Sequence, residues 1–191
     1  MASIPPLTPR QLKQVAGSQF SRLVVAEIGR SRERICELQR CYPSAAPREV
    51  ARRLTDAKKA LASTSGAVSG LFGLASVPLD MVLVAWLQLS LMIDIATLHK
   101  ANLKSARAQG ELLDLLGYAN GAGPVVRAGP PLFGRVAAAM LQRGGLPRLG
   151  RAVPVLASPL TAWLNHQAIA RAGREAALFY GRQPRRGGAA D

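Results

Sequence analysis

The polar side chains best placed to do chemistry are Asp80, Gln88 and Asp94, because they interrupt a stretch that is otherwise apolar. From Ala60 to His99 the chain runs 40 residues without Lys or Arg, and Asp80 and Asp94 are its only acids. Two carboxylates that meet can share a proton or a divalent ion, and so act as general acid and base or as metal ligands. On one helix, however, fourteen residues separate them by about 21 Å along the axis and about 40° around it. They share a face and cannot reach one another. What remains for these residues is the role of separate polar handles, for a lipid-like ligand between the central helices or for neighbouring helices. An isolated buried charge is not tolerated. Asp94 is therefore expected either to meet an Arg from the C-terminal half of the chain, through two parallel hydrogen bonds, or to lie at an exposed end.

No other constellation carries catalysis. Neither His99 nor His166 has a Ser, Cys or carboxylate at a motif spacing, and Gly66-Ala67-Val68-Ser69-Gly70 misses the nucleophile elbow by one position. Cys36 and Cys41 lack Cys or His partners at zinc spacing and read as two reduced, partly buried thiols of a cytosolic protein. The sequence thus assigns no catalytic residue, no cofactor and no metal, and points to a protein that is not an enzyme.

The elements that position these residues are helices. Aromatics are 5% of the chain while Ala, Leu and Gly abound, a palette for helices packed through small residues rather than for strands. Residues 1–13 read as an extended, Pro-rich leader without the apolar run of a signal peptide, so secretion is not expected. Val24, Ile28, Ile35 and Leu38 form one stripe of a helix from about Gln14 to Cys41, with Arg30 to Arg34 as its solvated face. The segment 42–47 breaks it, and Pro47 suits the first turn of a basic helix, Pro47–Lys59.

A Gly/Ser-rich apolar hairpin at about 60–98 follows. Its first arm places Gly66, Gly70 and Gly73 for close packing, with the second arm as the expected partner. Each Gly costs a helix roughly 1 kcal/mol relative to Ala, so packing must supply the compensation. Pro78 and Asp80 suit the first turn of the second arm. A helix over 105–116 ending at Gly117, a Gly/Pro loop at 121–131, a short helix at 132–142 and a long one from Pro159 to Tyr180 complete an all-α single domain over residues 14–181. Residues 182–191 form a basic flexible tail.

Charge is segregated along the chain. Residues 1–59 carry twelve Lys/Arg against five acids, residues 60–120 three against four, and residues 121–191 ten against two, within a net +14. Basic flanks around a neutral apolar middle suit an anionic lipid surface. They lack the aromatic interleaving and the modules of nucleic-acid binders, which disfavours that partner. Twenty of the 25 cations are Arg, a bias that a GC-rich genome also produces.

Four ordered segments resemble the EcsC protein family. They are Tyr42-Pro43-Ser44-Ala45-Ala46-Pro47-Arg48-Glu49-Val50-Ala51; the Gly-rich arm Ala62–Leu74 with the following helix Val77–Ala96, where Asp80 and Gln88 fall in register; Leu112-Leu113-Asp114-Leu115-Leu116-Gly117; and Leu149-Gly150 with Asn165, Ala170, Gly173, Ala176 and Phe179. The resemblance covers roughly residues 42–180, and departs where Leu98-His99-Lys100 replaces the family's Tyr-Gly. It implies a bacterial, helical, membrane-associated protein at the inner face of the cytoplasmic membrane, linked to a transporter or secretion process, and it carries over no catalytic residue. Two readings stay open: a membrane-associated accessory protein without enzymatic activity, or a soluble helical scaffold that packs its Gly-rich hairpin against a protein partner or a second copy of itself. An acid inside the second arm opposes a full membrane span.

Overall fold

A computed structural model describes residues 9–72, 77–121, 123 and 154–182. Among these residues the chain forms five α-helices and no strand, an all-α single domain. The helices are α1 (Pro9–Cys41), α2 (Pro47–Phe72), α3 (Val77–Leu98), α4 (Ala106–Ala119) and α5 (Pro154–Arg182).

α3 is the axis of the bundle. Every residue from Leu87 to Ala96 is buried, and Leu91, Met92, Ile93 and Ile95 are completely so. A helix that is apolar all round is stable in water only when covered on every side, and α1, α2, α4 and α5 all pack on it. The covering helices are one-sided. α1 contributes Val24 and Ile35, α2 Val50, Ala51, Leu54 and Ala62, α4 Leu112, Leu115 and Leu116, and α5 Ile169, Ala172, Ala176 and Tyr180.

Local chemistry sets the turns. After α1 the Ala46 carbonyl accepts from the Val50 amide at 3.1 Å, which makes Ala46 the N-cap and Pro47 the first helical residue of α2. Tyr42 at this turn lies under the Arg53 guanidinium, 3.7 Å from the ring centre. Ser105 caps α4 by accepting from the Ala108 amide at 3.2 Å. Asn120 closes the same helix, and Gly121 follows with φ 70°, the left-handed conformation that glycine adopts freely.

Several sequence expectations change. α1 is already helical from Pro9, where an extended leader is expected through residue 13. The basic segment and the Gly-rich arm are one continuous helix, α2, because a glycine costs a helix only about 1 kcal/mol and does not by itself break it. α4 passes through the buried Gly117 to Ala119 for the same reason. α5 begins at Pro154 and holds Pro159 inside it. Arg30 to Arg34 is a solvated face only in part: Arg30, Arg32 and Glu33 are exposed, but Ser31 is fully buried and Arg34 turns inward. Cys36 and Cys41 are both exposed rather than partly buried. The helix expected at 132–142, most of the loop 121–131 and the tail beyond Arg182 lie outside the described residues.

The second arm is not the main partner of α2; α5 is. Gly66 and Gly70 fall in the last turns of α2, with surroundings that lie outside what is described, and Gly73 lies outside the described residues. The close approach is made by Gly173 of α5. A Cβ there would sit 2.7 Å from Thr55 Oγ1, 2.8 Å from Thr55 Cγ2 and 3.4 Å from Leu91 Cδ2. Thr55 has little room to yield, since its hydroxyl donates to the Ala51 carbonyl at 2.8 Å. Gly173→Ala is expected to destabilise the domain by about 1–3 kcal/mol through overpacking. Thr55→Ala in the same chain should recover most of the loss, as measured by urea denaturation of the two single variants and the double variant.

Candidate functional site

Asp94 has no exposed side-chain surface. On one side the Arg34 guanidinium of α1 reaches Oδ1, donating from Nε at 3.2 Å and also from Nη2. On the other, Lys58 Nζ of α2 stands 3.8 Å from Oδ2, an oxygen that accepts no hydrogen bond among the described residues. Lys58 Nζ instead donates to Ser90 Oγ at 2.6 Å, and Ser90 Oγ donates in turn to Glu27 Oε1 at 2.6 Å. Glu27 Oε1 also accepts from Arg34 Nη2 at 2.7 Å, and Oε2 accepts from the exposed Arg30 at 3.2 Å. Two carboxylates, two inward cations and one hydroxyl thus form a closed network joining α1, α2 and α3.

The network sets the protonation of its members. Burial is the largest single influence on Glu27 and opposes its charge, but hydrogen bonds from Ser90, Arg34 and Arg30 and the charge of Arg34 together hold its carboxyl below the usual range. Burial likewise works against the Arg34 cation, and Asp94 and Glu27 more than offset it, so Arg34 is held charged. For Lys58 burial wins and the ammonium pKa falls, aided by nearby Arg34 and opposed by Asp94 and Glu27.

Two further polar layers lie along α3. Gln88 and Asn120 exchange hydrogen bonds, Nε2 to Oδ1 at 3.2 Å and Nδ2 to Oε1 at 2.7 Å, and Asn120 also donates to the Leu116 carbonyl at 2.9 Å. This layer ties α3 to the end of α4. Asp80, in the first turn of α3, accepts from Ser65 Oγ of α2 at 3.0 Å and from Asn165 Nδ2 of α5 at 2.8 Å. Asn165 Nδ2 also reaches the Ala62 carbonyl at 3.3 Å.

Asp80, Gln88 and Asp94 are therefore all buried and all partnered, yet they are not brought together. Steps of about 12 Å and 9 Å along the helix separate them, and each faces a different set of neighbours. The cation on Asp94 is an Arg, but it comes from the N-terminal helix and not from the C-terminal half. α1 lies along the later turns of α3, whereas α5 presents Ile169, Ala172 and Ala176 to the core and leaves Arg174 exposed. The grip also differs from two parallel bonds, since both guanidinium nitrogens meet one oxygen. Sequence inspection alone misses Glu27, Arg34, Lys58 and Ser90 as members of this site. One signal was available: Val24, Glu27, Ser31, Ile35 and Leu38 recur at intervals of three and four, so two polar residues occupy core positions of α1.

The arrangement suits holding helices in register better than transforming a substrate. Apart from Asp94 Oδ2, donors and acceptors of the three layers are spent on one another, and no group of three or more His, Cys, Asp or Glu able to hold a metal occurs among the described residues. Comparison of the chain with protein-family models, with characterised proteins and with solved structures found no match.

Asp94→Ala is expected to cost about 3 kcal/mol, towards the lower end for a broken buried pair because Arg34 keeps a third of its side chain exposed and can reach solvent. Guanidinium denaturation of this variant beside Gln88→Leu/Asn120→Leu, which removes both partners and should cost far less, measures the difference. The Glu27 carboxylate, depressed in the folded state from its ordinary 4.5, contributes stability that is complete above pH 4.5. That contribution disappears as the pH falls through the lower folded value. Glu27→Gln should therefore be less stable at neutral pH and should show a shallower loss of stability below pH 4.5 in thermal melts. A variant whose acid limb is as steep as the parent's would contradict the assignment.

Proposed function

We propose that this protein is a non-enzymatic helical accessory protein that docks peripherally on an anionic membrane through the Asp80 end of its bundle. The observation that carries the reading is the set of large apolar side chains exposed near that level. Val82 is 66% exposed, Leu61 58% and Trp163 57%, and Leu83 is exposed as well. They come from three helices, yet Val82 lies about 3 Å along its axis from Asp80, Trp163 about 3 Å from Asn165 and Leu61 about 6 Å from Ser65. The Asp80 layer joins Ser65 and Asn165, so the apolar residues fall within about 9 Å of one another along the bundle. A Trp among aliphatic side chains is suited to the boundary between headgroups and acyl chains, and a net charge of +14 favours anionic lipid.

Peripheral docking is favoured over a span. The segment Asp80–Leu98 is long and apolar enough to cross a membrane, with mean hydropathy 1.9, but 67% of it is buried against the rest of the domain. Moving it into a bilayer would strip Asp94 and Ser90 of Arg34, Lys58 and Glu27, at the cost of an unpaired acid in hydrocarbon. The resemblance to the EcsC family supports the same membrane-side role, at the inner face of the cytoplasmic membrane and beside a transporter or secretion process.

Sedimentation with phosphatidylglycerol-containing vesicles should carry the protein down, with weaker recovery at high salt or on pure phosphatidylcholine. Val82→Asp combined with Trp163→Asp should abolish most of the binding while leaving the unfolding midpoint nearly unchanged, since both side chains are exposed. Protein that stays in the supernatant with every vesicle, but self-associates or captures a protein partner through the same residues, would replace this reading with the soluble scaffold.

A further inference from the structure

At the opposite end of α3, about 27 Å from Asp80 along the helix, a pocket of about 560 Å³ opens between α1 and the α3–α4 connection. We infer that it binds a soluble amphipathic anion: a phosphate or carboxylate head on a short apolar stem. Its lining includes the buried Ile35 and Leu103 and the exposed Arg32, Lys100 and Lys104, and no Asp or Glu lines it. Apolar walls with a few convergent charges, in a space of this volume, are the general form of a small-molecule site. None of the three cations makes an ion pair among the described residues, although Arg30, Arg34, Arg52, Arg53, Lys58, Lys59 and Arg107 all do.

The backbone adds an independent observation. α3 ends in a Schellman turn, with the Ala101 amide donating to the Ala96 carbonyl at 2.9 Å and the Lys100 amide to the Thr97 carbonyl at 3.0 Å. The left-handed residue of such a turn is ordinarily Gly, which adopts it without steric penalty. Here it is Lys100, at φ 60°, and among the described residues no other non-glycine has positive φ. A residue held in an unfavourable conformation at the mouth of a pocket points to use of its side chain. The cation also complements the helix C-terminus, but Lys104 and Arg32 do not belong to that turn and flank the same opening. Because the pocket is so far from the apolar end, a bilayer docked there would not reach it, and the ligand arrives from solution as a monomer. That delivery rests on the docking proposed above; the site itself rests only on the pocket and its cations.

The test uses the full chain and octyl phosphate below its micelle concentration, with inorganic phosphate and octanol as the two half-ligands, followed by calorimetry. Octyl phosphate should bind at least tenfold more tightly than either half-ligand. Lys100→Gly should raise the melting temperature by relieving the backbone and yet weaken binding on the order of tenfold, the loss expected for one charge-assisted contact. Arg174→Gln, which removes an exposed cation outside the pocket, should leave affinity unchanged. Cys36 lines the pocket and Cys41 does not, and both are exposed. The ligand should therefore slow thiol labelling at Cys36 and spare Cys41. Equal affinity for inorganic phosphate, an adventitious ion only, would overturn the proposal, as would unchanged binding in Lys100→Gly or equal protection of the two thiols. Loss of vesicle binding with this pocket intact would defeat the membrane proposal and leave this one standing.

Discussion

A carboxylate buried in the most apolar helix of the chain constrains everything around it. Asp94 cannot stay ionised in an aliphatic interior without compensation, since desolvation of a lone charge costs several kcal/mol even after relaxation. Arg34 and Lys58 supply the compensation from two different helices, and each cation then needs acceptors of its own. Glu27 and Ser90 provide them. One buried acid thus fixes four further side chains and, through them, the positions of α1 and α2 against α3.

The same logic repeats along α3 with neutral groups. Burial of apolar surface is strong and non-directional, so a helix apolar on all sides has no preferred rotation or slide within its sheath. The polar layers remove that freedom. Gln88 needs both a donor and an acceptor for its buried amide, and Asn120 at the end of α4 supplies both. Asp80 selects Ser65 and Asn165 and so sets α2 and α5 at one height. Between the layers, contact is made by shape, as where Gly173 lets the α5 backbone close on Thr55 and Leu91. Stability comes chiefly from the aliphatic layers; the polar ones specify register, the best-attested use of buried charge and amide pairs.

The register gives the bundle two unlike ends. Near Asp80 the described residues expose aliphatic side chains and Trp163, whereas near Lys100 three cations without an ion pair among the described residues line a pocket with an apolar wall. The interior between them has its polar groups nearly satisfied.

The all-α class, the apolar character of α3 and the polar residues at which it would need partners were legible in the sequence, because helix periodicity, proline placement and uncharged runs are local properties. It also determined that Asp80 and Asp94 could not act as a pair, since that follows from distance along a single helix. Helix ends were less well defined, because a glycine weakens a helix without fixing where it stops, and the burial that carries α4 through Gly117 is not contained in any local window. The partners themselves were decided only by the tertiary structure. Ser90 meets Glu27 across 63 residues and Asp94 meets Arg34 across 60, and nothing in the composition distinguishes Arg34 from the other arginines around it. An arginine on a helix surface is solvated or buried according to which helix comes to lie against it, and that is settled by the rotation and height of the helices.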